Sequence, residues 1–209
     1  MRRSIDLNPG WLFIGEDGHC EEIDVPHTWN ALDGQDGGND YVRGSFLYQR
    51  TFSLPCPTGV CYLEFDGVNA SCSVRVNDHL AGTHAGGYSR FRFDITAFLL
   101  EDAENVVEVE VDNGINETVY PQTADFTFYG GIYRSVRLIC LGETHFDMDD
   151  DGSCGVKITA QVAGTVGTVA VELSALVAPS RSACTLVCEI RDMSRTIVAT
   201  SRSTMVESG

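Results

Sequence analysis

Lysine is almost missing from this chain: Lys157 is the only one, and every other basic residue is an arginine. No Schiff-base or phosphate-loop lysine is therefore available before position 157, which excludes those chemistries over most of the length. Long apolar runs are lacking too. No window approaches the ~20 apolar residues that span a bilayer, and the opening Met1-Arg2-Arg3-Ser4-Ile5-Asp6-Leu7-Asn8-Pro9-Gly10 has no apolar run of the signal type. A cytoplasmic location without a membrane partner is expected. Basic charge is scarce, with 14 Lys and Arg against 30 Asp and Glu, a formal net charge of −16. That field repels phosphate backbones, so no nucleic-acid partner is expected. The motifs His-Glu-x-x-His, Gly-x-Ser-x-Gly, Gly-x-Gly-x-x-Gly and the Walker loop are absent. The eight cysteines (Cys20, Cys56, Cys61, Cys72, Cys140, Cys154, Cys184 and Cys188) form no Cys-x-x-Cys pair. With no export signal, they are expected to be buried, reduced thiols acting as small hydrophobes.

What the chain has is apolar alternation. Phe46, Tyr48, Phe52 and Leu54 alternate with Leu47, Gln49, Thr51 and Ser53, and Cys72, Val74 and Val76 alternate with Ser71, Ser73 and Arg75. The same spacing recurs at Phe91, Phe93 and Ile95 and at Val107, Val109 and Val111, the period of a half-buried strand. Asn77-Asp78 suits a tight hairpin, and Gly86-Gly87 offers positive φ. Only Thr96 to Asp102 reads as a helical turn, with Thr96 as its N-cap. The class is all-β. Seven or eight strands in the first ~140 residues suit a jelly-roll β-sandwich over residues 1–142.

A composition break follows. Residues 143–155 form an acidic connector, and Phe146 is the last aromatic of the chain. About four further strands, centred on Val156–Val162, Val169–Ala175, Cys184–Ile190 and Ile197–Val198, describe part of an immunoglobulin-like β-sandwich over 156–209. Such a domain takes about seven strands in ~100 residues, so the sequence reads as truncated within its second domain. Asp147, Asp149, Asp151 and Gly152 imitate the start of an EF-hand loop, but Ile158 stands where calcium requires a bidentate Glu. A solvated connector is expected there, and no metal site. The sequons at Asn69 and Asn116 carry little weight without a secretory signal. His27, in Pro26-His27-Thr28-Trp29, is expected to be structural.

Two loop-like stretches mix acids and aromatics. Asp33, Asp36, Asn39, Asp40, Tyr41 and Arg43 crowd one Gly-rich segment, and Asp125, Phe126, Phe128 and Tyr129 precede Gly130-Gly131. Carboxylates and amides engage sugar hydroxyls while an aromatic face covers the apolar C–H surface of a pyranose. The plain alternative makes the aromatics core and the acids turn residues.

Five segments, in order, resemble the amino-terminal sugar-binding domain of glycoside hydrolase family 2. They are Val25-Pro26-His27-Thr28-Trp29-Asn30, Asp36 to Gly44, Leu63-Glu64-Phe65-Asp66-Gly67-Val68, His84 to Thr96 and Ala124 to Arg134. The resemblance implies a jelly roll, an immunoglobulin-like sandwich and then a (β/α)8 barrel carrying the two catalytic glutamates of a retaining glycosidase. It therefore implies no catalytic residue in this chain, no cofactor, and no hydrolysis by the chain alone. Its implied partners are its own carboxyl-terminal barrel, a β-galactoside or related sugar, and further copies of the full-length enzyme in a homo-oligomer. A bacterial β-galactosidase is the expected parent, with a β-glucuronidase or β-mannosidase, or a free-standing carbohydrate-binding module, as alternatives. The acid-rich loop favours a neutral sugar over a uronate. Carried over by position, Asp125 is the leading substrate contact, Asn39, Asp40 and Arg43 lie on the second sugar-facing loop, and Arg134 is expected to fix its loop by pairing with a buried carboxylate.

Overall fold

The computed structural model describes residues 2–15, 17–35, 40–54, 59–119, 128–149, 152–178 and 183–206. The chain divides into two compact units, Met1–Leu141 and Gly142–Gly209. The strands of the first unit are β1 (Arg3–Asp6), β2 (Trp11–Ile14), β3 (Cys20–Ile23), β4 (Ser45–Ser53), β5 (Val60–Phe65), β6 (Ser71–Val76), β7 (His79–Ala85), β8 (Phe91–Asp94), β9 (Glu104–Asp112) and β10 (Val136–Leu141).

They form two antiparallel sheets, one in the order β3-β2-β4-β9-β6-β7 and one in the order β1-β10-β5-β8. A single apolar core lies between them. Trp11, Tyr48, Val74, Val109 and Val111 come to it from the larger sheet, and Leu63, Phe65, Phe91, Val136 and Leu138 from the smaller. The alternation of β9 sends Val107, Val109 and Val111 inward and leaves Glu108 and Glu110 on the opposite face, as period two requires. Each large side chain so buried contributes about 1.5–3 kcal/mol.

Among the described residues of this unit, ten strands stand where seven or eight were expected. In β5 every residue from Cys61 to Phe65 is buried, so a strand covered on both faces shows no alternation to read. Its outward Glu64 sits in register between Arg137 and Arg92. Glu64 Oε2 lies 2.7 Å from Arg92 and Oε1 lies 3.2 Å from Arg137, with Glu64 and Arg92 both nearly inaccessible to solvent. The β6–β7 hairpin turns at Asn77 and Asp78, with φ of 49° and 67°, the left-handed pair that a tight hairpin demands and that Asn and Asp tolerate best. The expected helical turn is shorter, a 3-10 turn over Thr96–Phe98. Thr96 does not cap it. Its hydroxyl accepts from the Cys61 amide and donates to Asp94, which anchors the turn to β5.

The second unit contains β11 (His145–Phe146), β12 (Val156–Ala163), β13 (Val166–Leu173), β14 (Ala175–Leu176), β15 (Ala183–Arg191) and β16 (Ile197–Val206). They pair as three two-stranded antiparallel ribbons: β11 with β14, β12 with β13, and β15 with β16. Among the described residues of this unit, six elements stand where four were expected; β11 and β14 are only two residues long. Ile158, Val162, Val166 and Val198 are exposed.

The cysteines are less uniform than expected. Cys61, Cys72 and Cys140 are buried, but Cys20 and Cys154 are exposed and Cys184 and Cys188 are half-buried. Cys20 opens β3, whose first three residues are all exposed, and Cys154 lies in the connector. Among the described residues, no helix is long and apolar enough to cross a membrane.

Candidate functional site

The β3–β4 and β9–β10 connections meet at one place through their described residues. The chain from His27 to Asn30 runs beside the segment 130–132: the His27 amide donates to the Ile132 carbonyl at 2.8 Å and the Trp29 amide to the Gly130 carbonyl at 3.3 Å. This approach is close enough to demand glycine. A Cβ on Gly130 would enter the Trp29 ring, and Gly131, at φ +138°, already faces the His27 carbonyl and the Tyr48 hydroxyl.

An aromatic cluster lines the junction. Phe13 stacks on Trp29 and on Phe46, with ring centroids 6.1 and 5.5 Å apart, and Trp29 lies 4.3 Å from Phe46. Further along, Tyr41 meets Phe128 and Tyr129 edge to face at 6.0 and 5.5 Å. The guanidinium of Arg43 lies over the Phe128 ring, 3.9 Å from its centroid, a cation–π arrangement. All these rings except the buried Tyr48 are only half-buried. They offer flat apolar faces beside polar groups.

The acids of this region are partly committed to the backbone. Asp33 accepts the Val42 amide at 2.7 Å, and Asp40 accepts the Tyr41 amide at 2.8 Å. Gln35 reaches the Tyr129 hydroxyl at 3.4 Å. Burial holds the His27 imidazole below its ordinary range, with the charge of Glu21 opposing the shift. Burial also pushes the Tyr48 hydroxyl upward, so both act as neutral groups around pH 7.

Of the four sequence-derived contacts, Asp40 and Arg43 lie in this cluster. Asn39 and Asp125 fall outside the described residues. Phe128, three positions after Asp125, is inside it. Arg134 fixes its loop, but through backbone: it donates to the carbonyls of Asp66 and Tyr88 at 3.3 and 3.1 Å and lies over the Tyr133 ring. The expected carboxylate partner is corrected accordingly; the Asp66 carboxylate is engaged by Arg90 and Arg137 instead. Asn69, despite its sequon, is buried, and its amide donates to the Tyr129 carbonyl. Among the described residues, no group of three or more His, Cys, Asp or Glu is arranged to hold a metal ion.

Sequence reasoning passed over three asparagines. Asn30, Asn69 and Asn113 are buried and bond the loop backbones to one another. The only cue was an amide side chain beside Trp29 or Gly114, in stretches where asparagine reads as an ordinary turn residue.

The fold is an all-β sandwich whose loops gather aromatic faces, amides, a guanidinium and carboxylates at one place. The comparisons make the class particular. The family described as "Glycosyl hydrolases family 2, sugar binding domain" matches residues 35–141. A β-glucuronidase from Bacteroides fragilis is 38% identical over 78% of this chain and 24% of its own length. Among solved structures, an FMN-binding β-glucuronidase from Faecalibacterium prausnitzii shares 37% identity with a TM-score of 0.88, over 97% of this chain and 32% of that one. A putative β-galactosidase from Bacteroides fragilis gives a TM-score of 0.91 at 32% identity, over 98% and 33%. The chain belongs to glycoside hydrolase family 2, and it spans between about a quarter and a third of the length of these relatives.

Proposed function

We propose that this chain is the amino-terminal, non-catalytic part of a family 2 exo-glycosidase, and that its loop cluster forms one wall of the pocket for the terminal sugar. The observation that carries this reading is the meeting of segments 29–35, 40–44 and 128–131 in a half-buried patch of rings, with Arg43 over Phe128. Such a surface suits a pyranose, whose C–H face covers a ring while its hydroxyls find charged and amide partners. Bond cleavage in a retaining enzyme takes two carboxyl groups about 5–5.5 Å apart across the scissile bond. In this reading the rest of the enzyme supplies both.

The substrate we propose is a β-glucuronide. The relatives of higher identity carry that name, at 38% and 37%, and a guanidinium at the cluster complements a uronate. The acid-rich loop, on which the expected preference for a neutral sugar rested, favours the second reading instead. A β-galactoside is the second reading, supported by the putative β-galactosidase of TM-score 0.91 and by a β-galactosidase from Thermoanaerobacter pseudethanolicus that is 28% identical over 92% of the chain.

A panel of p-nitrophenyl β-glycosides assayed with the full-length gene product tests both. The proposal expects kcat/KM for the glucuronide to exceed that for the galactoside by about a hundredfold or more. The reverse order selects the second reading, and hydrolysis of neither overturns both.

A further inference from the structure

Two carbonyl oxygens at the loop cluster, those of Val42 and Phe128, each accept from the same two side chains. The Asn30 amide donates to both at 3.0 Å, and the Asn113 amide donates to Val42 at 3.2 Å and to Phe128 at 2.9 Å. Each asparagine uses its oxygen as well. Asn30 Oδ1 accepts the Gly130 amide at 2.9 Å, and Asn113 Oδ1 accepts the Gly44 amide at 3.0 Å. Asn69 completes the arrangement from a third side, its backbone exchanging bonds of 3.0 and 3.1 Å with Gly131 and its side chain donating to Tyr129. Asn30, Asn69 and Asn113 are 1%, 6% and 2% exposed, so water cannot substitute for them.

From this geometry we propose that Asn30 and Asn113 are positioning residues for the sugar pocket. They lock the segment carrying Asp40 and Arg43 to the segment that follows Asp125, and so set the spacing between the two walls that meet the terminal sugar. The inference rests on the pocket reading above. A planar amide with two donors and one acceptor is the smallest side chain that can tie two carbonyls and an amide at once. Buried without competitors, such bonds hold loops that lack ladder bonding of their own.

The fold supplies a matched control on the same strand. Asn105 is fully buried at the start of β9. It bonds Leu100 through both its amide and its oxygen and also accepts from Asn77. Asn113 follows the end of β9, so the two stand ~26 Å apart at ~3.3 Å per residue. Asn105→Ala removes a comparable set of buried bonds far from the loops.

The test measures KM and kcat of the full-length enzyme on the p-nitrophenyl glycoside it hydrolyses, with each variant held well below its own melting temperature. For Asn30→Ala and for Asn113→Ala, kcat/KM falls about tenfold or more with the larger share in KM, whereas Asn105→Ala stays within about twofold of wild type. Should Asn113→Ala not fold, Asn113→Asp, which keeps the acceptor for Gly44 and drops both donors, carries the same expectation. Values within about twofold for both clamp variants, or an equal loss in Asn105→Ala, overturn the proposal. Arg43→Ala separates the two levels. If it lowers kcat/KM while the clamp variants do not, the clamp fails and the pocket stands; if it too has no effect, the pocket reading fails and takes the clamp with it.

Discussion

The Nδ1 atom of His27 lies 2.8 Å from the hydroxyl oxygen of Tyr48, and the His27 backbone amide donates to the Ile132 carbonyl at 2.8 Å. In either ring tautomer this contact is a hydrogen bond between the two side chains, with the donor set by which nitrogen carries the proton. This neutral pair joins β4 to the loop before β10, at the foot of the candidate pocket.

The pair gives the fold a pH dependence of definite sign. Burial holds His27, and likewise His84, below the ordinary histidine value. The neutral ring is thus the form the fold prefers. Its stabilisation is complete above about pH 6.5 and is lost as pH falls below that value toward the depressed folded one. The melting temperature is expected to drop between pH 7 and pH 5, and His27→Asn should remove its own part of the histidine-linked drop, leaving the part due to His84. Thermal unfolding followed across that range checks this; an unaltered profile in His27→Asn would show that its ionisation is not coupled to folding.

Glu64 and Arg92 test the charged layer on the smaller sheet. Removing one member of a buried pair strands the other, at a cost of about 3–5 kcal/mol, so Glu64→Ala should destabilise by about 3 kcal/mol. Glu64→Ala combined with Arg92→Ala should be less damaging than the sum of the single changes. Both tryptophans, Trp11 and Trp29, lie in the first unit, so their fluorescence in a urea titration reports this unit alone.

Gly131 and Gly10 separate crowding from backbone strain. Both have positive φ, but a Cβ on Gly10 meets nothing within 4 Å, while one on Gly131 lies 2.4 Å from the His27 carbonyl and 2.8 Å from the Tyr48 hydroxyl. Gly10→Ala should cost about 1 kcal/mol, and Gly131→Ala about 1–3 kcal/mol more. Equal urea midpoints for the two variants would contradict the packing described.

The thiols should divide by accessibility. Burial pushes Cys72 up to about 12, and Cys61 and Cys140 face one another inside the sandwich with sulfurs 3.5 Å apart. A thiol-directed reagent at pH 8 should modify Cys20 and Cys154 promptly and leave these three until the protein unfolds. Prompt labelling of Cys72 in the native state is the outcome that would refute this.

Much of the architecture could be read in the residues where one face of a strand meets water. Val107, Val109 and Val111 against Glu108 and Glu110, and the Asn77-Asp78 hairpin, gave the period and the turn directly. Where both faces are covered, as in Val60–Phe65, alternation vanishes, and no local rule marks the strand. The candidate site was legible in its aromatics and its Asp40 and Arg43, which cluster in sequence as well as in space. Its clamps were not legible: Asn30, Asn69 and Asn113 come from three distant segments, and their roles depend on carbonyls that only the folded chain brings together. Arg134 illustrates the same limit, for a loop-fixing role was apparent from its neighbours while its carbonyl partners were not.

The most direct test of the central claim is the kcat/KM of Asp125→Asn in the full-length enzyme, compared with wild type on the glycoside it hydrolyses best. If this chain forms a wall of the sugar pocket, the neutral isostere loses a hydroxyl contact made in the transition state, and kcat/KM falls about tenfold or more. An unchanged kcat/KM in a variant of normal stability would remove Asp125 from the substrate and leave the domain as a support for the catalytic region.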